Sequence, residues 1–405
     1  MNTAILSTEI QEFIDKNLNS DMVSLLLKGI TFPNIEIKTI IEQIEAKKRS
    51  EKKLPTWFES KNIYYPNKLN IEQTSSEITA QYKSGLISGA SIIDLTGGFG
   101  VDCYYFSKAF KTVEHCEINK ELSKIVTHNY KQLAIQNIKT HAVDGMSYLK
   151  TSNKTFDWIY IDPSRRHDSK GKVFFLNDCL PNVPEHINLL FKHSKNILIK
   201  TSPLLDFSVG INELKHVKTI HVVAVNNEVK ELLWVLEDEF TEGIFIKTIN
   251  LKKDNNDVFN FSMENEKTTT STYSQPLTYL YEPNSAVLKA GGFDSISTQL
   301  NLFKLHKHSH LYTSDTLIDF PGRCFKIEHA IPYNKKALKK LGIKKANITT
   351  RNFPETVEQL RKKLHIKDGG ENYLFFTTDM EDNHMVLITQ KVTALLKENR
   401  IKKIE

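Results

Sequence analysis

The stretch Ile92-Ile93-Asp94-Leu95-Thr96-Gly97-Gly98-Phe99-Gly100-Val101-Asp102 decides the fold. Its apolar start is typical of a buried strand, and the residues after the glycines favour a helix. Glycines let the backbone turn tightly and let a ligand approach without a Cβ in the way. A glycine turn between a strand and a helix is more specific than glycines alone. The stretch therefore predicts a ligand-binding turn at the edge of an α/β sheet.

Strands and helices alternate along the chain on both sides of this turn. We predict strands at 91–95, 112–117, 138–143, 156–161 and 196–201, and helices at 101–110 and 120–133. Such alternation is typical of a parallel sheet with helices on both faces. The last two segments, 218–225 and 231–237, predict an antiparallel hairpin. The predicted class is α/β: a doubly wound class I methyltransferase sheet, parallel with an antiparallel last strand.

Acidic residues follow three neighbouring predicted strands. Asp94 ends the first strand, Glu117 ends the second twenty-three residues later, and Asp144 follows the third. An acid at the second position can accept hydrogen bonds from both hydroxyls of a ribose. Asp94 suits a ligand ammonium, and Asp144 suits an adenine amino group. These acids predict S-adenosyl-L-methionine as the cofactor.

A dinucleotide is the competing ligand for the same turn. Its phosphate loop needs the pattern G-x-G-x-x-G at a helix N-terminus, and a leading acid such as Asp94 repels a pyrophosphate. In this chain the acid leads, Gly97, Gly98 and Gly100 form the turn, and the third glycine of that pattern is absent. The zwitterionic, phosphate-free cofactor is therefore favoured.

The fourth predicted strand ends in Asp162-Pro163-Ser164-Arg165-Arg166. Ligands of open α/β sheets bind at the carboxyl ends of such strands. Enzymes that methylate amines carry an acid or Asn, two prolines and an aromatic residue at this place. Ser164 and Arg165 stand in place of the second proline and the aromatic residue. Asp162 is the predicted catalytic acid, and Arg165 and Arg166 are predicted to stack on a base or bind a phosphate.

A second set of residues predicts a different target atom. Lys83, Asp162, Lys200 and Glu228 follow the order of the Lys-Asp-Lys-Glu tetrad of ribose 2′-O-methyltransferases. A lysine there could deprotonate a ribose hydroxyl. The alternative is that Lys83 and Lys200 are surface lysines. Methylation of a pyrimidine carbon needs a thiolate, and no Cys stands at the end of the fourth or fifth predicted strand.

Composition limits the class of protein. Hydrophobic residues make up 40% and charged residues 25% of the 405 residues, as in globular proteins. We expect no membrane span and no secretory signal, and we predict a cytoplasmic location. The four cysteines have no C-x-x-C spacing, so no metal site is expected.

Positive charge is concentrated near one end of the chain. The net charge is +6, yet residues 330–365 hold ten Lys and Arg against two acids. A basic patch confined to one region is typical of nucleic-acid binding. The other interpretation is a solvated, lysine-rich helix face.

The domain organisation follows from patterning. Residues 1–72 have helical periodicity, and 73–262 form the predicted methyltransferase domain. Thr74 and Glu77 predict a capping box that begins a helix. The polar segment 263–275 predicts a linker. Two small α+β domains, 276–320 and 321–405, are expected after it, the second in the order helix, strand, helix, strand, strand.

The sequence resembles a family of bacterial class I methyltransferases with a ferredoxin-like insert and a C-terminal THUMP-like domain. The matching motifs are EQTSSEITA (72–80), DLTGGFGVD (94–102), DPSRR (162–166), KTSPLLD (200–206), EVKELLW (228–234), YLYEPN (279–284), DFPGR (319–323) and RNFP (351–354). Ser164 stands where the resemblance leads us to expect Ala. The resemblance implies that residues 276–320 are ferredoxin-like and that 321–405 are THUMP-like. THUMP domains of other proteins bind RNA, so it also implies an RNA substrate.

These observations leave two main classes of function, and methylation of a small molecule is a third option that the basic segment disfavours. The first is methylation of RNA (tRNA or rRNA) held by the basic C-terminal region, on a base nitrogen or alternatively on the ribose 2′-oxygen. The second is a non-catalytic RNA-binding protein with a methyltransferase fold. The acids Asp94, Glu117 and Asp162 at three strand ends favour the enzyme.

Overall fold

The computed structural model describes residues 1–28, 31–165 and 175–392. The chain forms two compact units. The first contains Met1–Lys218 and Leu232–Thr241, and the second contains Thr219–Glu231 and the chain from Glu242 onward. Within the described ranges, no helix is both long and apolar enough to cross a bilayer.

Within the described residues, five α-helices and one 3-10 helix (Thr3–Leu6) form the N-terminal part of the first unit, as the periodicity predicts. The α-helices are α1 (Thr8–Lys16), α2 (Met22–Leu27), α3 (Ile37–Lys53), α4 (Pro55–Glu59) and α5 (Lys68–Gln73). Ile10 and Ile14 of α1 and Ile40 and Ile44 of α3 are buried, and the two helices contact each other. Burial of such apolar stripes, more than helix propensity, stabilises helices this short.

The remainder of the first unit alternates helices and strands. In chain order the elements are α6 (Glu77–Leu86), β1 (Gly89–Asp94), α7 (Val101–Phe106), β2 (Phe110–Cys116), α8 (Lys120–Gln132), β3 (Ile138–His141), α9 (Gly145–Thr151), β4 (Trp158–Ile161), β5 (Ser164–Arg165), β6 (Cys179–Leu180), α10 (Val183–His193), β7 (Asn196–Thr201), α11 (Phe207–Glu213), β8 (Val217–Val225) and β9 (Glu228–Glu237). From Thr219, β8 belongs to the second unit, as does β9 up to Glu231.

The sheet of the first unit has the strand order β9-β7-β4-β1-β2-β3. β1 pairs in parallel with β2 and β4, whereas β9 is antiparallel to β7. Ile92 and Ile93 of the central β1 are fully buried, as expected for a strand covered on both faces. The predicted α/β class, parallel with an antiparallel last strand, is confirmed. The order also brings the carboxyl ends of β1, β2 and β4 together at one edge.

The predicted capping box at Thr74 is wrong. Thr74 ends α5, and the helix after it begins at Glu77 with Ser76 as its N-cap. The Glu77 carboxylate accepts hydrogen bonds from Thr56 and from the Tyr105 hydroxyl. Both Thr74 and Ser76 are residue types that can cap a helix. Because Glu77 binds Thr56 and Tyr105, its side chain does not form the capping box with Thr74.

The second unit begins with the rest of β8 and two further strands, β10 (Phe245–Leu251) and β11 (Asp257–Ser262). β10 is parallel to β8 and antiparallel to β11. Asn226 and Asn227, which connect β8 to β9, both have positive φ, as tight primed turns require. The linker predicted at 263–275 is wrong in part, because Met263–Thr268 forms α12. The Ser262 hydroxyl caps this helix, and two acids lie in its first turn.

A seven-stranded sheet forms the rest of the second unit. Its elements are β12 (Tyr279–Pro283), α13 (Ser285–Ala290), α14 (Phe293–Gln299), β13 (Phe303–Lys304), β14 (Tyr312–Ser314), β15 (Gly322–Pro332), α15 (Lys335–Lys340), β16 (Asn347–Arg351), α16 (Val357–Leu364), β17 (Asn372–Thr378) and β18 (His384–Lys391). The strand order is β13-β14-β12-β15-β18-β17-β16, and only β16 and β17 pair in parallel.

The order predicted after residue 321 is wrong at its start, because the long strand β15 precedes the first helix. Phe325, at the start of β15, packs with Leu280 and Phe375 in one core cluster. Leu338 and Leu360, from α15 and α16, pack on Phe376 in another. Within β15, Phe325 and Ile327 alternate with Lys326 and Glu328, but the next apolar residues, Ala330 and Ile331, are adjacent, so the alternation that identifies strands covers only part of it.

Candidate active site

The glycine turn between β1 and α7 needs glycine for two different reasons. Gly98 and Gly100 have φ of 55° and 79°, a region that residues with a Cβ rarely adopt. A Cβ on Gly97 would overlap the His115 ring, and one on Gly100 would overlap the Tyr130 hydroxyl. The space in front of Gly98 is open, since only the Thr96 carbonyl lies within 4 Å of a Cβ built there. The turn therefore presents bare backbone to that space.

Asp94, at the end of β1, is 2% exposed. Its Oδ1 accepts hydrogen bonds from the Thr96 amide (2.8 Å) and hydroxyl (3.1 Å), and its Oδ2 accepts one from Cys103 Sγ (3.4 Å). Burial raises the pKa of Asp94 to about 7, and the nearby charge of Asp102 acts in the same direction. A cationic ligand group close to this carboxyl would stabilise its ionised form, because an opposite charge nearby lowers the pKa of an acid.

Glu117 contacts the same turn from the end of β2. Its Oε2 accepts a hydrogen bond from the Gly98 amide at 2.9 Å, and its Oε1 accepts one from the Asn119 amide at 2.7 Å. The side chain is thus fixed at both oxygens but partly exposed. Each carboxylate oxygen can accept a second hydrogen bond.

Asp144 precedes α9 and caps it, since its Oδ1 accepts a hydrogen bond from the Ser147 amide at 2.8 Å. The next residue, Gly145, packs so closely on Leu95 that a Cβ would overlap the Leu95 backbone. Asp144 therefore lies near the start of the glycine turn. Helix capping accounts for its side-chain position without a ligand.

Asp162 and Lys200 form an ion pair at the ends of β4 and β7. Lys200 Nζ lies 2.5 Å from Asp162 Oδ2, and the two side chains are 32% (Asp162) and 14% (Lys200) exposed. The Asp162 amide donates to the Thr96 hydroxyl at 2.7 Å, which ties this strand end to the glycine turn. Arg165 lies on β5, which pairs with β6. Arg166 lies outside the described residues.

Lys83 of α6 is fully buried. Its Nζ donates to the Ser75 hydroxyl at 3.0 Å and lies 3.1 Å from Asp102 Oδ1. The tetrad prediction would instead place it at Asp162, whose carboxylate pairs with Lys200. The fourth member, Glu228, is in the second unit, where it pairs with Lys230 at 2.6 Å and is 72% exposed.

Asp102 is the site residue that the sequence reasoning missed. It accepts hydrogen bonds from the Ser75 hydroxyl (2.8 Å) and the Tyr160 hydroxyl (2.9 Å). Burial acts to raise the pKa of Asp102, but the charges of Lys83 and Lys200 outweigh it, so this pKa lies below its usual value. Its only signal in the sequence is an acid two residues after the glycine turn, which helix N-termini often carry for other reasons.

His115 lies on the strand that Glu117 follows, beneath the turn. It is fully buried, and neither ring nitrogen has a hydrogen-bond partner among the described residues. Burial lowers the pKa of His115 to about 4, so the ring is neutral. Its ring packs edge-on against Tyr130 and fills the space that a side chain at residue 97 would need. We regard it as a support of the turn.

The basic segment, residues 330–365, contains cations that form ion pairs and exposed lysines that do not within the described residues. Arg351, Arg361, Lys362 and Lys363 form ion pairs with acids. Six other lysines are exposed or partly exposed and have no ion pair within the described ranges: Lys335, Lys336, Lys339, Lys340, Lys344 and Lys345. Four of them lie on the single short helix α15.

The four cysteines and the acids do not combine into a metal centre in the part of the chain that the structure describes. No group of three or more His, Cys, Asp or Glu there could hold a metal ion. All four cysteines, including Cys179, are buried, and none of them forms a disulfide bond within the described residues.

Known proteins resemble this chain in both sequence and structure. The crystal structure of a putative methyltransferase from Porphyromonas gingivalis W83 is 33% identical to this chain, with a TM-score of 0.87 over 97% of this chain and 99% of that one. This chain belongs to the same family. A THUMP domain-like family matches residues 322–391, and a ferredoxin-like family matches residues 279–321. The resemblance seen in the motifs is therefore confirmed.

More distant structures share less of the family's chain. The putative methyltransferase YhhF of Escherichia coli is 18% identical over 40% of this chain and 85% of its own, with a TM-score of 0.31. An rRNA methylase from Streptococcus thermophilus is 14% identical over 40% of this chain and 93% of its own, with a TM-score of 0.30. No curated protein matches the sequence significantly.

Proposed function

We propose that the protein is an S-adenosyl-L-methionine-dependent methyltransferase that acts on RNA. The observation that carries the proposal is the contact between Gly98 and Glu117, with Asp94 at the start of the same turn. This contact places a carboxylate that can still accept hydrogen bonds beside an open backbone turn. Membership of a family of putative methyltransferases supports it.

The residues present fit this cofactor. Glu117 would accept both ribose hydroxyls, Asp94 would balance the ammonium, and Gly97, Gly98 and Gly100 would let the cofactor approach. Asp144 would accept from the adenine amino group with an oxygen lone pair that helix capping does not use. When bound, the cofactor supplies an electrophilic methyl group on a sulfonium.

We favour a base nitrogen as the acceptor. Asp162 is partly exposed beside the Thr96 end of the turn and could accept a hydrogen bond from an exocyclic amine. An amine loses its proton after the methyl arrives, so no general base is needed before attack. Arg165 and Arg166 would contact the base or a neighbouring phosphate. A base in a stacked helix would have to be flipped out to reach Asp162.

The ribose 2′-oxygen is the second candidate, because Lys200 lies against Asp162 as the tetrad requires. The positions of the other two members of the tetrad do not favour this reaction. Lys83 is buried and pairs with Asp102, and Glu228 pairs with Lys230. A general base also has to be within reach of the proton that it removes.

RNA (tRNA or rRNA) is the proposed partner, held through the exposed lysines of the THUMP-like region. We would incubate the purified protein and tritiated S-adenosyl-L-methionine with total RNA from cells that lack its gene. Incorporation by the natural chain, absent from the Asp162→Ala variant, is the expected result. RNA binding without any incorporation would instead support a non-catalytic RNA-binding protein.

A further inference from the structure

A groove of about 610 Å³ lies at one edge of the seven-stranded sheet of the second unit. It is bounded by the segment that follows β16 and by the turn between β17 and β18. Its lining residues are Thr350, Asn352, Phe353, Pro354, Thr378, Asp382 and His384. No residue assigned above to cofactor binding or catalysis is among them.

Behind one wall of the groove lies a chain of hydrogen bonds centred on His306, which holds the lining residues Asn352 and Asp382. The His306 ring is 5% exposed. Its Nδ1 accepts from the His308 amide (3.1 Å), so Nε2 carries the proton of the neutral ring and donates to Asp382 Oδ1 (2.9 Å). Asn352 Nδ2 also lies 2.9 Å from Nδ1, which assigns the amide nitrogen of Asn352 to that side.

This chain of hydrogen bonds leaves the wall rich in acceptors. Asn352 uses one of its two amide hydrogens on His306, and its Oδ1 can still accept. The Asp382 carboxylate is 81% exposed and has a second oxygen. The Thr378 hydroxyl donates its proton to the backbone carbonyl of Asn352 at 2.5 Å and can otherwise only accept. Acceptors therefore outnumber donors on this wall, which favours a ligand that supplies N–H or O–H donors.

The other wall is aromatic. The Phe353 ring centroid lies 5.1 Å from that of His384, 5.1 Å from that of Tyr333 and 5.5 Å from that of Phe376. Tyr333 and Phe376 hold Phe353 from behind, while His384 is exposed. Such a wall favours a flat ligand that can stack.

Acids and lysines both lie near the groove: the turn between β17 and β18 carries Glu381 and Asp382, and lysines lie beyond Phe353. Glu355, two residues after Phe353, accepts from the Tyr333 hydroxyl and from Lys363. These two hydrogen bonds, together with the charges of Lys363 and Lys335, keep the pKa of Glu355 below its usual value. Lys335 begins the lysine-rich helix α15. The exposed lysines of α15 attract a polyanion, and an exocyclic amino group of a nucleobase can supply the donors that the groove favours.

We infer that the groove binds an unpaired nucleobase with an exocyclic amine, adenine, cytosine or guanine, in the RNA that the exposed lysines hold. The inference rests on the proposed RNA substrate. The base stacks on Phe353, with the exposed His384 ring beside it, and donates its amine hydrogens to Asp382 and Asn352. Uracil has no exocyclic amine and fits this set of acceptors less well. Bases are recognised in this way in single-stranded RNA, by stacking together with hydrogen bonds to their edges.

The test measures binding of fluorescent oligo(C), oligo(A) and oligo(U) of equal length to the full chain by anisotropy. The three carry the same phosphate charge, so their affinities differ only through the bases. We expect oligo(C) and oligo(A) to bind about tenfold more tightly than oligo(U), as one good base contact provides. Asp382→Gly should remove this preference, because it deletes the oxygens that accept the amine, and it should leave oligo(U) affinity unchanged. Glycine adopts the positive φ of residue 382 without strain, so the fold should persist.

The matched control is Asp368→Gly, which removes the same charge from another exposed acid of the unit, one that pairs with Arg361. It should keep the base preference. Oligonucleotides that bind without base preference, or a preference that survives Asp382→Gly, overturn the groove while RNA binding stands. No binding of any oligonucleotide or of total RNA overturns the proposed RNA substrate itself.

Discussion

The amide of Gly98 donates a hydrogen bond of 2.9 Å to Glu117 Oε2, and this bond ties the glycine turn to the end of β2. Glu117 is held in place before any ligand arrives, because its other oxygen accepts from Asn119. Preorganisation of this kind reduces the entropy lost when a ligand binds. It also makes Glu117 the most direct test of the cofactor site.

Glu117→Gln should weaken S-adenosyl-L-methionine binding by about tenfold to a hundredfold, because hydrogen bonds to a charged acceptor contribute ~1.5–3 kcal/mol. Isothermal titration calorimetry measures the affinity. Glu121→Gln, an exposed acid of α8, is the matched control and should bind normally. Equal affinities for both variants would remove Glu117 from the site.

Asp94→Ala should abolish cofactor binding, because it removes both the acid at the end of β1 and the acceptor that fixes Thr96. The same calorimetry applies. Thermal unfolding must show that the variant is folded. Unchanged affinity in a folded variant would show that the glycine turn binds something other than this cofactor.

Asp94 also predicts a pH dependence of stability. Its pKa is raised to about 7 by burial, from 3.8, so the folded chain keeps a proton that the unfolded chain releases. The contribution of Asp94 to the stability of the fold is therefore largest below pH 4, and it is lost as the pH rises through about 7. Asp94→Asn should raise the melting temperature relative to the natural chain more at pH 8 than at pH 5. Between these two pH values the difference corresponds to at most about 3 kcal/mol, and the opposite order would contradict the raised pKa.

The sequence predicts the strands around Asp94 because local signals agree there. Apolar runs, glycines and strand-end acids recur in order, and the sheet follows from that alternation. The burial of Lys83 could not be predicted in this way. Its partner Asp102 comes nineteen residues later, and they meet only because α6 packs on α7. The capping of α6 is mispredicted for a similar reason, since Glu77 binds Thr56 and Tyr105 rather than its own helix end.

Charge reversal tests the basic region. Changing Lys335, Lys336, Lys339 and Lys340 to Glu should weaken RNA binding and leave cofactor affinity unchanged, because these lysines are exposed on α15 and have no ion pair within the described residues. For each phosphate that the variant no longer binds, the salt slope of binding should fall by about one unit. The same reversal at Lys16, Lys61, Lys108 and Lys150 controls for net charge. RNA affinity equal in the two variants would identify α15 as a solvated face.

Lys200 separates the two candidate reactions. Asp162→Ala should abolish methyl transfer in either case, since Asp162 lies at the end of β4 beside the glycine turn. If Lys200 removes the proton of a ribose hydroxyl, Lys200→Ala should lower kcat by ~10²–10⁴-fold with KM nearly unchanged. If the acceptor is a base amine, no proton has to leave before attack. Lys200→Ala should then lower kcat less than about tenfold, and Arg165→Ala should lower activity more, because Arg165 would bind the base or a phosphate.

Mass spectrometry of the product nucleoside decides between these targets independently of the variants. A methyl group on ribose remains with the sugar when the base is removed, and a methyl group on the base leaves with it. We expect the base. Lys200 donates to Asp162, and Lys83 is buried on Asp102, so neither amine has a geometry that favours proton removal from a hydroxyl. A methylated ribose, together with a large loss of kcat in Lys200→Ala, would show that Lys200 acts as the general base.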